Sequence, residues 1–185
     1  LGSVQALTLT NTLGNTDLIN EGFNVVAPLP AGWASQNLSS PVGTTGWFQG
    51  NTTVFPAQSG PADSYIGANF NNTTGANTIS NWLFAPNINM KNGDVFSFWT
   101  RTVSAPAFAD RLEVRLSTNG ASVNAGATST SVGDFTTLLL TVNPTLITSG
   151  AGSYPNAWTQ FTVTLSGLPA GITSGRIAFR YFVTS

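Results

Sequence analysis

The sequence predicts an all-β chain, two antiparallel sheets packed as a β-sandwich of jelly-roll type. Three observations carry that reading. Apolar residues recur at every second position along short stretches. Gly, Pro, Asn and Asp cluster between those stretches. No window shows the period of about 3.6 residues that marks an amphipathic helix.

The elements follow in order. Residues 4–10, Val4-Gln5-Ala6-Leu7-Thr8-Leu9-Thr10, form an uncharged alternating strand. Further strands are expected over 18–26, 46–49, 65–70 and 80–84. In the stretch from Val95 to Arg101, Phe96 and Phe98 share one face. Leu112, Val114 and Leu116 point one way, and Glu113 and Arg115 the other. Thr136 and residues 137–142 form an uncharged apolar run that aggregates unless it pairs inside a sheet, so a central or covered strand is expected there. Phe161, Val163 and Leu165 alternate with Gln160, Thr162 and Thr164. Ile177, Phe179, Tyr181 and Val183 form the last inward row. Breaks fall at Ser59-Gly60-Pro61, Asn92-Gly93-Asp94 and Asn119-Gly120. Half-buried strands of this kind belong to antiparallel sheets with one wet face, and about eight or nine of them make two packed sheets.

Two stretches break the pattern. Residues 117–134 hold Ser, Thr, Asn, Gly and Ala with almost no apolar content, which reads as a long exposed loop. Residues 28–64 are loop-rich yet hold Trp33, Trp47, Phe48 and Phe55, large rings that need cover at one end of the sandwich. Trp82, Trp99 and Trp158 are expected within the sandwich or under loops.

Composition bounds the function. A chain of 185 residues is sufficient for one sizeable core. Only 7% of residues are charged, against about 25% in typical soluble domains. Neutral amides and hydroxyls therefore keep the surface wet, which suits an extracellular β-structure. A net charge of −1 leaves no basic patch for phosphates and no polybasic segment for anionic lipid. No apolar run is long enough to span a membrane. The absence of Cys removes thiol catalysis and Cys-rich zinc sites. The absence of His removes the commonest general base and any Ser-His-Asp triad. The chain starts at Leu1 rather than Met, which points to processing or truncation. Asp110 and Glu113 are the one candidate pair of acids for glycoside hydrolysis, but strand alternation sets them on opposite faces. With Arg111 and Arg115 they read as a solvated cross-strand charge network within reach of Arg101 and Arg180. The chain is expected not to be an enzyme.

An ordered set of motifs then points to a family. Asn20-Glu21-Gly22-Phe23 precedes Leu29-Pro30-Ala31-Gly32-Trp33. Gly46-Trp47-Phe48, Asp63-Ser64-Tyr65-Ile66 and Ser80-Asn81-Trp82-Leu83-Phe84-Ala85-Pro86 follow. Phe96-Ser97-Phe98-Trp99-Thr100-Arg101, Asp110-Arg111-Leu112-Glu113-Val114-Arg115-Leu116-Ser117, Trp158-Thr159-Gln160-Phe161 and Ile177-Ala178-Phe179-Arg180-Tyr181 complete the set. Over residues 18–185 the chain resembles the choice-of-anchor J domains, secreted bacterial jelly rolls related to cleaved-adhesin and MAM-like domains. The resemblance implies a non-enzymatic module of the bacterial surface or matrix and assigns no general ligand. Residues 1–17 lie outside the family pattern as an N-terminal extension. The family usually closes with a strand of the form Tyr-Ile-Gly-Ile-Asp, and this chain stops at Ser185 before it.

Four functional expectations follow. A missing closing strand exposes backbone groups and an apolar groove. Truncation accounts for it, or the strand 4–10, with Val4, Ala6, Leu7 and Leu9, complements a sheet. That sheet is its own or that of another copy, and the second case builds a filament. The resemblance implies a structural calcium ion at Glu21 and Asp63; the alternative is that these acids cap turns. No other cofactor is required. Trp33, Trp47, Phe48 and Phe55 are either core or a platform for a glycan. Association, with copies of itself or at a surface, is the leading function; carbohydrate binding is the alternative.

Overall fold

The computed structural model describes residues 3–10 and 17–184, with the side chains of residues 3–10, 17 and 18 outside that description. The strands are β1 (Ser3–Thr10), β2 (Asp17–Glu21), β3 (Ala34–Asn37), β4 (Ser40–Val42), β5 (Phe48–Gln49), β6 (Ile66–Gly67) and β7 (Thr73–Phe84). They continue as β8 (Ile88–Met90), β9 (Val95–Arg101), β10 (Leu112–Ser117), β11 (Thr137–Val142), β12 (Thr159–Thr164) and β13 (Thr173–Val183). A single 3-10 turn, Phe70–Asn72, precedes β7, and there is no α-helix among the described residues.

Two antiparallel sheets form. One runs β12-β9-β1-β6-β5, with β2 also on β1. The other runs β11-β10-β13-β7-β3, with β4 on β7 and β8 on β13. Strand β1 pairs with β9 on one side and with β2 and β6 on the other, so its backbone completes a sheet of its own chain. The side chains of Val4, Ala6, Leu7 and Leu9 lie outside the described residues.

Parity sorts the side chains. Phe96 and Phe98 of β9 point inward and are 0% exposed, as are Val114 of β10 and Phe179 of β13. The Phe179 ring meets Phe98 edge-on at 5.2 Å and Phe96 at 6.4 Å. Phe98 stacks on Phe161 of the neighbouring β12 at 5.6 Å. These rings join the two sheets, because β9 and β12 belong to one and β13 to the other.

The expected exposed loop over 117–134 is present with its outer side open, and its inner side covers the outer face of the seven-stranded sheet. Trp82 and Phe84 of β7 and Ala178 of β13 form a second apolar cluster with Ala125 and Phe135 of that connection. Phe135 packs on Trp82 at 5.7 Å and on Phe84 at 5.1 Å. Three arginines hold the loop down. Arg180 donates to Ser129 O at 2.5 Å, Arg115 to Phe135 O at 3.3 Å and Arg176 to Ala121 O at 3.1 Å. Within the loop, Asp134 accepts from Ser122 and Asn119, and these bonds hold its carboxyl below the usual range. A Cβ at Gly133 would lie 2.1 Å from Asn124 O, so the loop closes only on glycine there. A polar loop covers an apolar face because small residues let its backbone lie close to the rings.

The charge network is also not solvated as expected. Glu113 is 7% and Arg180 1% exposed beneath that loop. Glu113 Oε2 accepts from Arg115 Nε at 2.7 Å and from Arg180 Nη1 at 3.1 Å. Arg180 lies over the Phe182 ring at 3.5 Å, and burial pushes its pKa down to about 10. Arg101 stays apart from this network, over the Phe55 ring at 4.3 Å.

Strand β11 is the edge of its sheet, not a central strand, and Leu138 is 49% exposed. Pairing with β10 skips Leu139, since Val114 faces Leu140 and Arg115 faces Leu138. That bulge twists the edge away from flat pairing and protects an apolar run that lacks charge. Strand β2 ends at Glu21 rather than near residue 26, because Phe23 takes a positive φ of 52°.

Phe179→Ala removes the ring that spans both sheets. Urea unfolding is expected to show a loss of about 3–5 kcal/mol, and a loss below about 1 kcal/mol would show that other contacts join the sheets.

Candidate functional site

The two acids singled out for a cation lie on adjoining segments. Glu21 Oε1 accepts from Phe23 N at 2.6 Å, a local turn cap. The Gln49 side chain on β5 then ties that turn to the 63–65 segment. Its Nε2 donates to Phe23 O at 2.9 Å and to Asp63 O at 2.6 Å, and its Oε1 accepts from Val26 N at 3.0 Å. Ser64 Oγ donates to Asn24 Oδ1 at 2.7 Å across the same seam. Calcium takes about six to eight oxygens. Here the Gln49 amide N–H lies where the two carbonyls converge, and one Glu21 oxygen accepts from the backbone. No group of three or more His, Cys, Asp or Glu gathers among the described residues. The residues present do not fit a closed calcium site. They fit a turn held by a neutral amide, and no function is derived through a metal.

The aromatic candidates separate. Trp33 is 8% and Phe55 5% exposed. Trp33 meets Phe23 edge-on at 4.9 Å, while Phe55 stacks on Tyr65 at 5.1 Å and meets Trp158 at 5.7 Å. Trp47 packs against the main core, and the Phe48 ring lies over Gly67 of β6. Trp47 Nε1 is buried without a hydrogen-bond partner among the described residues. Trp33 and Phe55 are thus packed in separate aromatic groups, and Trp47 and Phe48 are part-buried.

The opposite chemistry gathers where the chain crosses between sheets. Segment 102–111 carries it from β9 to β10, and segment 143–158 from β11 to β12. Thr100 pairs with Thr159 and Leu112 with Val142, so both crossovers begin and end side by side. Beneath them lies a buried polar network. Tyr181 donates to Asp110 Oδ1 at 2.6 Å, and Thr102 Oγ1 to Asp110 Oδ2 at 3.0 Å. Tyr154 shares a 2.6 Å hydrogen bond with Thr100 Oγ1. Asn143 donates to Asp110 O at 2.8 Å and to Ile147 O at 2.9 Å. The walls are joined directly, with Thr102 N donating to Pro155 O at 2.7 Å and Arg101 Nη2 to Asn156 O at 2.6 Å.

Between the crossovers opens a cleft of about 470 Å³. Ala105 and Pro106 line one wall; Thr148, Ser149, Ser153 and Asn156 line the other. A Cβ at Gly150 would meet nothing within 4 Å, so the mouth is open. Sequence reasoning missed this cleft. Its lining is Ser, Thr, Ala, Pro, Gly and Asn, residue types that fill every loop of this chain and carry no spacing of their own.

Comparison with known proteins finds no matching family model and no matching curated protein. Solved structures do match. The K3 cleaved adhesin domain of Lys-gingipain from Porphyromonas gingivalis has 23% identity and a TM-score of 0.55, over 91% of this chain and 89% of that one. The K1 cleaved adhesin domain has 24% identity and a TM-score of 0.52, over 84% and 83%. The K2 domain has 20% identity and a TM-score of 0.52, over 83% and 81%. The likeness is one of fold, a β-sandwich.

Gln49→Leu leaves two carbonyls and one N–H without a partner and is expected to lower stability by about 1–3 kcal/mol. A chelator is expected to leave the melting temperature of the wild-type chain unchanged; calcium-dependent melting would overturn the amide as the tie.

All three tyrosines titrate high. Burial raises Tyr154, burial and Asp110 raise Tyr181, and burial raises Tyr65. An unfolded tyrosine ionises near pH ~10, so above that pH the unfolded chain loses protons that the folded one keeps. Stability is therefore present below pH ~10 and falls as the pH rises beyond it. Phenolate absorbance is expected to appear together with the loss of tertiary circular dichroism, not before it.

Proposed function

We propose that this chain is an extracytoplasmic, non-catalytic module that works by association at a surface or in a matrix. Its motifs resemble the choice-of-anchor J domains, and its fold is like that of the cleaved adhesin domains. One observation carries the non-catalytic reading: no carboxylate lines the open cleft. Four acids serve the fold instead. Asp94 holds Lys91, Glu113 holds Arg115 and Arg180, Asp110 holds Tyr181 and Thr102, and Asp134 holds its loop. General acid–base work needs a positioned group within reach of a substrate proton. The low charge and the amide- and hydroxyl-rich surface support an extracellular setting, and the adhesin domains of like fold support association.

The test pairs turnover with binding. Incubated with neutral polysaccharides and with matrix protein, the purified chain is expected to be retained on at least one of them and to release no reducing ends or amines. Release that Asp110→Asn or Glu113→Gln abolishes would overturn the reading, as would failure to bind any surface. Light scattering and electron micrographs of the same preparation separate a monomer from a polymer, and a polymer would identify copies of the chain as the partner.

A further inference from the structure

We infer that the cleft between the two crossovers is a binding site for a neutral saccharide. This rests on the reading of the chain as a non-catalytic association module and names the ligand class that one of its faces takes.

The size is right for a small ligand. A cleft of about 470 Å³ falls inside the ~300–1,000 Å³ range of small-molecule sites. The lining then selects the chemistry. It holds no Asp, Glu, Lys or Arg. A charged ligand would lose hydration there and gain no counter-charge. Arg101 is the nearest arginine in sequence, and its guanidinium is held by Thr102 O and Asn156 O and by the Phe55 ring. A purely apolar ligand fits no better. It would cover the hydroxyls of Thr148 and Ser149 and the amide of Asn156 without offering them a hydrogen bond. A ligand that is uncharged, rich in hydroxyls and flat on one side meets both demands. A sugar ring is such a molecule. Its C–H face suits Pro106 and Pro155, and its hydroxyls suit the Thr, Ser and Asn wall.

The site is also built before any ligand arrives. Both walls are joined by the bonds from Thr102 N and Arg101 Nη2, and the Asp110 network fixes the segments below them. Ala105, Asn143 and Leu146 hold positive φ angles of 50°, 56° and 51° in these same two crossovers. Such conformations persist only where surrounding contacts over-determine them, and they collect at binding sites. The bonds from Thr102 N and Arg101 Nη2 hold one end of both walls together before binding, which limits the entropy lost there. In the same two crossovers Phe108 is 81% and Ile147 36% exposed.

The probes are gluco-, manno- and galacto-configured neutral hexasaccharides, with an oligogalacturonate as the charged comparator, each followed by ligand-observed NMR and calorimetry. Saturable binding of at least one neutral hexasaccharide is expected at a Kd of about 1 mM or below, with the oligogalacturonate at least about tenfold weaker. Ser149→Trp fills the cleft from an exposed position, and Thr148→Trp does the same from the next residue. Each is expected to weaken binding at least about tenfold at an unchanged melting temperature. No saturable binding by any neutral probe overturns the proposal, and so does binding that both Trp variants leave intact. The two readings fail separately. A chain that adheres to a protein matrix but ignores every glycan sinks the cleft alone, whereas cleavage of a bound glycan sinks the non-catalytic reading.

Discussion

The fold hangs on one ring. Phe179 projects from the middle of one sheet into the space between Phe96 and Phe98 of the other, and all three are fully buried. Alternation then leaves little freedom. Once Phe96 and Phe98 face inward, Ser97 and Trp99 face out, and β12 must set Phe161 and Val163 on the inner side by its register with β9. On the opposite sheet Phe179 faces Val114 across the ladder, which puts Leu112 and Leu116 inside as well. A slip of one residue anywhere would turn an entire row of rings to water. The crossovers inherit this precision. They lie side by side because the strand ends they connect are paired in register, not because of any property of their own residues.

Charge is scarce here because its task is internal. Five of the six basic residues are arginine, and each donates to at least one backbone carbonyl: Arg101 to Asn156, Arg111 to Phe182, Arg115 to Phe135, Arg176 to Ala85 and Arg180 to Ser129. A guanidinium offers five donors in a fixed fork, which suits the joining of loop carbonyls that no strand can reach. The buried Arg180–Glu113 pair fixes position more than it adds stability, because both charges left water to form it. Neutral amides do comparable work. Asn72 is 0% exposed and donates to Thr45 O and Gly46 O while accepting from Asn81. Gln49 joins two segments in the place where the family resemblance led to the expectation of an ion.

What the sequence disclosed follows from the same physics. Strands β9, β10, β12 and β13 were legible because one face is core and the other is wet or polar, and that contrast is written in adjacent residues. Strands β3, β4 and β8 were not. They are three or four residues long, and Ser35, Gln36, Ser40 and Asn89 give them no alternation to read. The loop over 117–134 was legible as a loop but not as a cover, because composition reports what a segment is made of, not what it lies on. Its cover is supplied by Arg115, Arg176 and Arg180, of which the last two lie more than forty positions further along the chain. The 136–142 run was assigned to an interior by its hydrophobicity, yet a bulge at Leu139 protects the edge as well as a partner strand does. Glu21 and Asp63 were visible as residues, but the Gln49 amide that relates them was not. Its bonds span sequence separations that no local pattern reports.

A surface of this kind dictates how it can recognise anything. With a net charge of −1 and its arginines engaged with backbone carbonyls, the chain has almost no field with which to steer a partner. Association then proceeds at the unsteered rate of about 10⁵–10⁶ M⁻¹s⁻¹ and depends little on salt. Affinity must come from how long contacts last. Hydroxyl and amide contacts exchange readily with water, so a single cleft holds its ligand weakly. Weak, salt-tolerant contacts gain strength by repetition, because a second site linked to the first binds at a high effective concentration. A neutral β-sandwich is therefore suited to partners that repeat, such as a polymer of sugar rings or an array on a surface, and poorly suited to a single dilute ion.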